Sequence, residues 1–321
     1  NDALANLQTI QGQVAYQILY QRDKSLAFSQ NDLVTAATKV PGRAFEAYIK
    51  GLLTPAMDAR ENYFKNAMRL FSEATPDAIY SDAALELGHI YLNQRKFNES
   101  IDSFERVINA HTLCVEKAKA ESKASQCNDE TFAEASFYIG LIQWQQGNFE
   151  SALATLRPLA DDLKLTSVYN ALGAIAVAAS RSEKKNPAKA AALLTEGIGL
   201  LKKASESAPD DALIRFNYGA TLFLSENYIE AAAQLRNAIA VSPRDGDAYY
   251  LLAKALEILK DPLAGQMDNE ARKYLTTANR YANLEKEWQR SKTVVELNLR
   301  VQQPLRKDFV AVVLSRRQGT I

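Results

Sequence analysis

Two histidines, His89 and His111, and two cysteines, Cys114 and Cys127, are the side chains of this 321-residue sequence best suited to nucleophilic or metal chemistry. Neither histidine sits in a nucleophile or metal-ligand spacing. His111 is the only third ligand near the cysteines, which have no CxxC spacing. No glycine-rich loop is placed to cradle a phosphate. Carboxylates such as Glu183, Asp210 and Asp211 read as solvation and helix capping. These residues point to no catalytic centre, no metal site and no cofactor. An enzyme on a helical scaffold is the least favoured class, with His89 and Glu134 as the pair to mutate if an activity were found.

Composition narrows the class further. With 38 basic and 38 acidic residues the charges cancel, which argues against a nucleic-acid binder, because phosphate contacts need a surplus of Lys and Arg on one face. The chain is 47% hydrophobic with only 13 Gly and 9 Pro, enough apolar side chain for a long helical core. No apolar run is long enough to span a bilayer. Ala171 to Ala179 comes nearest and reads as a buried helix. The sequence starts at Asn1 without Met, so a leader, an anchor or a preceding domain is an open expectation.

The elements that would position any site announce themselves by small residues inside apolar helical stripes. Gly88, Gly140, Gly173, Gly219 and Ala253 are separated by 52, 33, 46 and 34 residues, each directly preceded by a bulky residue. A period near 34 with that grammar implies stacked helical hairpins. The clearest unit runs from Ala212 to Pro243: Tyr218-Gly219, Leu222, Asn227-Tyr228, Ala231, Leu235 and Ala238, closed by Ser242-Pro243. It resembles the tetratricopeptide repeat, in which a glycine on the first helix and alanines on the second allow close approach.

Four further units keep the spacing. They are Leu87-Gly88 with Phe97, Ser100 and Phe104; Ile139-Gly140 with Ala152, Leu156 and an internal Pro158; Leu172-Gly173 with Gly197, Leu201 and Ala204; and Leu252-Ala253 with Ala271, Leu275 and Ala278. Pro158 is expected to bend its helix or end it early. A more degenerate hairpin, Ala44 to Leu53 with Ala59 to Phe71, precedes them. Its Ala47-Tyr48-Ile49-Lys50-Gly51 opening is similar to the entry of repeat arrays that follow a TolB- or FlgO-type domain in bacterial envelope and regulatory proteins. The resemblance covers residues 44–283. It implies an all-α, right-handed superhelical solenoid of about six hairpins, with insertions near 110–131, 181–189 and 261–269. Residues 1–43 form an amino-terminal helical segment marked by Leu4, Leu7, Val14 and Ile18, and 284–321 a capping or strap segment.

Cys114 and Cys127 fall in the first insertion, which Ala118 to Ala124 mark as helix-favouring and Asn128-Asp129 as a turn. If bonded they close a loop of about 14 residues, which chain entropy values at roughly 3 kcal/mol. A bridge implies an oxidising, periplasmic or other extracytoplasmic compartment. Two unrelated thiols in a cytoplasmic protein are the alternative.

In arrays of this family the first helix of each hairpin lines the concave surface. Carried over by position, the resemblance implies a partner-binding groove of Leu85 and His89, then Phe137, Leu141 and Trp144, then Asn170, Phe216 and Phe223, and finally Tyr250 and Lys254. A subgroup of the family clamps carboxyl-terminal peptides with cations. Here Leu85, Phe137 and Phe216 occupy those places, which rejects that clamp. An apolar groove suits an extended apolar segment or an amphipathic helix. The same side chains at helical spacing are also those of a buried core, or of a groove covered by the chain's own ends. Val295, Leu297, Leu299 and Val301 alternate with Glu296, Asn298 and Arg300 as an extended segment. After Pro304 a helical stripe follows: Leu305, Phe309, Val312, Val313 and Arg316. A terminal cap is favoured over a strap in the groove. The reading is a monomeric, non-catalytic protein-interaction scaffold, with a regulatory or sensory region of a longer protein as the alternative.

Overall fold

The computed structural model describes residues 2–22, 24, 29–76, 78–121, 127, 129–277, 279–294, 297–304 and 306–319. Ala278, Val295, Glu296, Leu305 and Asn128 lie outside the described residues, as do Ser122 to Ala124 and the side chains of Leu4, Asp129 and Arg316. Among the described residues every regular element is a helix. In chain order they are α1 (Asp2–Arg22), α2 (Gln30–Ala37), α3 (Gly42–Leu53), α4 (Met57–Ala74), α5 (Ser81–Asn93), α6 (Phe97–Ala120), α7 (Asp129–Gln145), α8 (Phe149–Leu163), α9 (Thr166–Ser182), α10 (Pro187–Ser207), α11 (Ala212–Leu224), α12 (Tyr228–Val241), α13 (Gly246–Ile258), α14 (Ala264–Tyr274), α15 (Arg280–Ser291) and α16 (Arg306–Gly319). They form two compact units, residues 1–139 and 140–321.

The small residues sit where the paired helices touch. A methyl group on Gly88 would meet the Phe104 ring at 2.3 Å, one on Gly140 would meet Leu156 at 2.6 Å, and one on Gly219 would meet Leu235 at 2.9 Å. Gly51 stands in the same relation to Phe64, which makes α3 and α4 a hairpin of the same construction. The buried partners Phe104, Leu156 and Leu235 fill the space that each missing side chain leaves. Ser100 replaces the usual alanine at no cost in polar satisfaction, since its hydroxyl donates to the Gly88 carbonyl at 2.8 Å.

A second regularity follows seven residues after the small residue. Arg95, Gly147, Glu226 and Lys260 all take positive φ, between 57° and 79°. In each case the next residue donates its N–H back to the first helix: Lys96 to Tyr91, Asn148 to Gln143, Asn227 to Leu222 and Asp261 to Leu256, at 2.8–2.9 Å. This is a Schellman cap, which satisfies otherwise orphaned carbonyls and turns the chain sharply. α9 lacks it. At the matching place Ser180 stays helical, and α9 and α10 run to 17 and 21 residues where α11 and α12 have 13 and 14.

The expected insertions are therefore mostly helix. The 181–189 surplus lengthens α9 and α10 and leaves only 183–186 between them. Pro187 stands in the first turn of α10, and Asn186 caps it by accepting from the Lys189 N–H. Near 110–131 the surplus makes α6 24 residues long, and of 261–269 only the first three residues precede α14. Pro158 does not end its helix: α8 continues to Leu163. Both Pro158 and Ala154, whose carbonyl loses its donor, are exposed, so water can take that bond.

α1 turns Gln8 and Gly12 inward. The Gln8 amide donates to the carbonyls of Ala37 and Val40 at 3.1 Å, while Leu7, Val14 and Ile18 are exposed. Residues 297–304 after α15 take neither helix nor strand structure, the Leu297 N–H donating to the Val294 carbonyl at 3.1 Å, and α16 is helical as its stripe implies, with Phe309 and Val313 buried.

Candidate functional site

The first helices of the second unit carry an apolar face, and the chain's own carboxyl-terminal segment lies on it. Asn170 on α9 and Asn217 on α11 are fully buried and bonded to each other, Asn217 Nδ2 to Asn170 Oδ1 at 2.8 Å. Both then turn to one residue of the segment that follows α15. Asn217 Oδ1 accepts the Arg300 N–H at 2.8 Å, and the Nδ2 groups of Asn217 and Asn170 both donate to the Arg300 carbonyl. A carboxamide that donates to and accepts from the same main chain imitates the rung of a sheet, and it recognises backbone without regard to side chain. Three residues earlier the Leu297 carbonyl accepts from Arg181 Nη1 at 3.1 Å.

The Arg300 side chain has its own receptacle. Its guanidinium carbon lies 3.7 Å above the centre of the Phe216 ring. Its two terminal nitrogens engage both carboxylate oxygens of Asp245, the second at 2.7 Å, and Nη2 reaches Asp247 at 3.4 Å. Burial works against the charge on Arg300, and the Asp245 hydrogen bonds and the two carboxylates outweigh it, so its pKa is raised. Asp245 is also the residue that caps α13, accepting from the Ala248 N–H at 3.1 Å. Its side chain is only 7% exposed, so a partner-free Asp245 would have to rehydrate.

α15 covers the rest of this face. Trp288 packs on Phe223, with ring centres 6.0 Å apart, and donates to Glu257 at 3.3 Å. Tyr281 meets Tyr250 edge-on at 5.9 Å and donates to Asp268 at 2.6 Å. Lys254 is buried, yet its ammonium is shared by Glu285 at 2.7 Å and Asp268 at 3.2 Å. Burial opposes ionisation of Asp268 and Glu285. The Tyr281 hydroxyl and Lys254 outweigh it for Asp268, and Lys254 and Gln289 for Glu285, so both carboxyls sit below the usual range. Burial likewise opposes the charge of Lys254, whose pKa is nonetheless raised by Glu285 and Asp268.

Of the ten expected groove residues, Asn170, Phe216, Phe223, Tyr250 and Lys254 are thus brought together under the chain's own segment. Leu85, Phe137 and Leu141 are buried, and His89 and Trp144 half-buried. Tyr281 in the first turn of α15 bonds Asp268 and Arg272 of α14, and Arg300 bonds Asn217 of α11 and Asn170 of α9. In the first unit His89 Nε2 lies 2.7 Å from Glu134 Oε1, walled by the rings of Phe104 and Tyr138. Cys114 and Cys127 are joined by a disulfide. Among the described residues no group of His, Cys, Asp or Glu is arranged to hold a metal, and no helix is long and apolar enough to cross a membrane. Sequence reasoning missed Asn217, Arg181, Asp245 and Arg300. The one signal for Asn217 was an amide set between Phe216 and Tyr218 in an otherwise apolar stripe.

A family model described as the tetratricopeptide repeat matches residues 85–162 and 225–278. These stretches resemble tetratricopeptide repeats. The unmatched 163–224 between them holds the lengthened α9 and α10 hairpin, whose missing Schellman turn departs from the repeat pattern. No curated protein matches the chain. Among solved structures, PilF of Pseudomonas aeruginosa is 14% identical, with a TM-score of 0.52 over 76% of this chain and 97% of its own. YrrB, described as a TPR protein with an unusual peptide-binding site, is 14% identical, with a TM-score of 0.50 over 70% of this chain and 97% of its own. At these identities the likeness shows the fold alone, an all-helical repeat fold. Tetratricopeptide repeats are in general protein-interaction scaffolds without catalysis of their own.

Proposed function

We propose that the chain is a non-catalytic interaction scaffold whose α9, α11 and α13 face holds a protein segment by its main chain, at present its own residues 297–301. The observation that carries this is the Asn217 carboxamide, which answers both main-chain groups of Arg300 while Asn170 doubles the bond to its carbonyl. A surface that only buried apolar area would have no use for two fully buried asparagines aimed at a backbone. Phe216 under the Arg300 guanidinium and the apolar core against Leu297 and Leu299 supply the non-specific part of the affinity. The description of YrrB as peptide-binding is in keeping with this reading. The Cys114–Cys127 bridge supports a periplasmic or other extracytoplasmic location.

The test is a strap-released full-length chain, Leu297→Asp with Arg300→Glu, and a fluorescent peptide of the native 293–304 sequence followed by anisotropy. The released chain is expected to bind saturably and to lose binding when Asn217→Leu is added. The unaltered chain is expected to bind at least about 100-fold more weakly, because a tethered competitor acts at about millimolar effective concentration. Absence of saturable binding up to about 1 mM, by a released chain with native circular dichroism and a cooperative melt, would overturn the reading.

A further inference from the structure

We propose that the partner displacing this strap is a protein segment of the pattern aliphatic, any residue, aliphatic, arginine. This rests on the peptide-groove reading and adds to it the identity of the side chains the groove selects. The pattern is that of Leu297-Asn298-Leu299-Arg300. Leu297 is buried, Leu299 packs against the core of the second unit, and Asn298 between them is exposed.

Arginine is the specified member, for three reasons that act together. A planar cation stacks on the Phe216 face at 3.7 Å, and a fork of two nitrogens matches both oxygens of Asp245. Lysine offers a point charge that meets one oxygen at a time and stacks poorly. An uncharged side chain leaves the nearly buried Asp245 carboxylate facing only the Ala248 N–H it caps and whatever water enters. Asp247 already holds Arg280 of α15 at 2.9 Å, so it adds field at the slot without being free to follow a shorter cation. The main-chain contacts fix the register: Arg181 takes the carbonyl at the first aliphatic position, and Asn217 takes both groups at the arginine. A segment shifted by one residue would bring its arginine to the Leu299 or Val301 position, away from Asp245, and Leu299 now packs against the apolar core.

The strap is then a built-in competitor. It keeps the face covered until a segment with the same pattern, presented at sufficient concentration, exchanges with it.

The experiment uses the strap-released full-length chain, Leu297→Asp with Arg300→Glu, and four peptides. These are the native 293–304 sequence and versions with lysine or glutamine in place of its arginine, or alanine in place of its Asn298. Lysine is expected to weaken binding at least tenfold, glutamine more than lysine, and alanine less than twofold. Adding Asp245→Asn, which keeps the cap of α13 and removes the charge, is expected to reduce the native-to-glutamine ratio at least tenfold. If the arginine, lysine and glutamine peptides bind alike, the arginine rule falls while the groove stands. If none binds to a folded chain, both fall.

Discussion

Replacing Gly173 by alanine tests the helix contacts that build the scaffold, because one hairpin contains both the test and its control. In the α9–α10 pair a Cβ on Gly173 would lie 2.8 Å from Leu201 Cγ, 3.1 Å from Cδ2 and 3.3 Å from the Gly197 carbonyl. Ordinary carbon contacts begin near 3.5 Å, so the helices would have to part by roughly 1 Å. Leu201 is fully buried and its branch point is the atom struck, so a rotamer change does not clear the way. Parting also loosens the contact of Gly197 with Val177 in the next turn. Overpacking of this kind costs about 1–3 kcal/mol, against a helix-propensity gain of about 1 kcal/mol for Gly to Ala. Gly199, on α10 and facing open space, gains the propensity and meets nothing within 4 Å. Urea unfolding followed by circular dichroism should therefore find Gly199→Ala stabilised by about 1 kcal/mol, and Gly173→Ala below it by about 1–3 kcal/mol. Equal stabilisation of the two variants would refute the claim that Gly173 is there for close approach.

Three further outcomes follow from local features. Reducing Cys114–Cys127 should lower the stability of the first unit by roughly 3 kcal/mol, read as a shift of its urea midpoint on adding dithiothreitol; an unmoved midpoint contradicts a stabilising bridge. Glu226→Gly and Lys260→Gly should each raise the melting temperature, by the equivalent of about 0.5–1 kcal/mol, because both residues hold positive φ in Schellman turns; a lower melting temperature for both would count against strain there. The docking of α15 should also depend on pH. Asp268 and Glu285 have lowered pKa values, so their contribution is present above the unfolded carboxyl range near 4 and is lost as pH falls through their folded values. Lys254 is raised, so its contribution holds below about 10.4 and is lost as pH rises through its folded value. In a Trp144→Phe background, Trp288 fluorescence should be flat between those limits and change below about pH 4; a transition centred near neutrality would contradict this assignment.

How far the molecule could be read in advance depended on the range of the interaction. Gly88, Gly140, Gly173 and Gly219 were legible because each acts on a partner within about one repeat, and the same grammar recurs. Gly147-Asn148 advertises its turn, whereas Arg95, Glu226 and Lys260 hold the identical conformation with no turn-forming chemistry, since the returning hydrogen bond holds them in place. The surplus residues were legible as surplus and not as helix, because charge and a proline at 183–187 read as loop when the proline is in fact the first turn of α10. The site was the least legible. Arg300 meets Asn217 across 83 residues and Asn170 across 130, and no periodicity registers such a pairing. Phe216, Phe223 and Tyr250 carry the same apolar stripe whether a partner or their own chain covers them.

The occupied peptide face is tested most directly by amide hydrogen exchange at Arg300, whose N–H is donated to the buried Asn217 side chain. The account predicts an amide protected well beyond that of an unstructured peptide, at least about tenfold faster exchange in Asn217→Leu, and unchanged protection along α12. Exchange of the Arg300 amide at the free-peptide rate in the unaltered chain would contradict it.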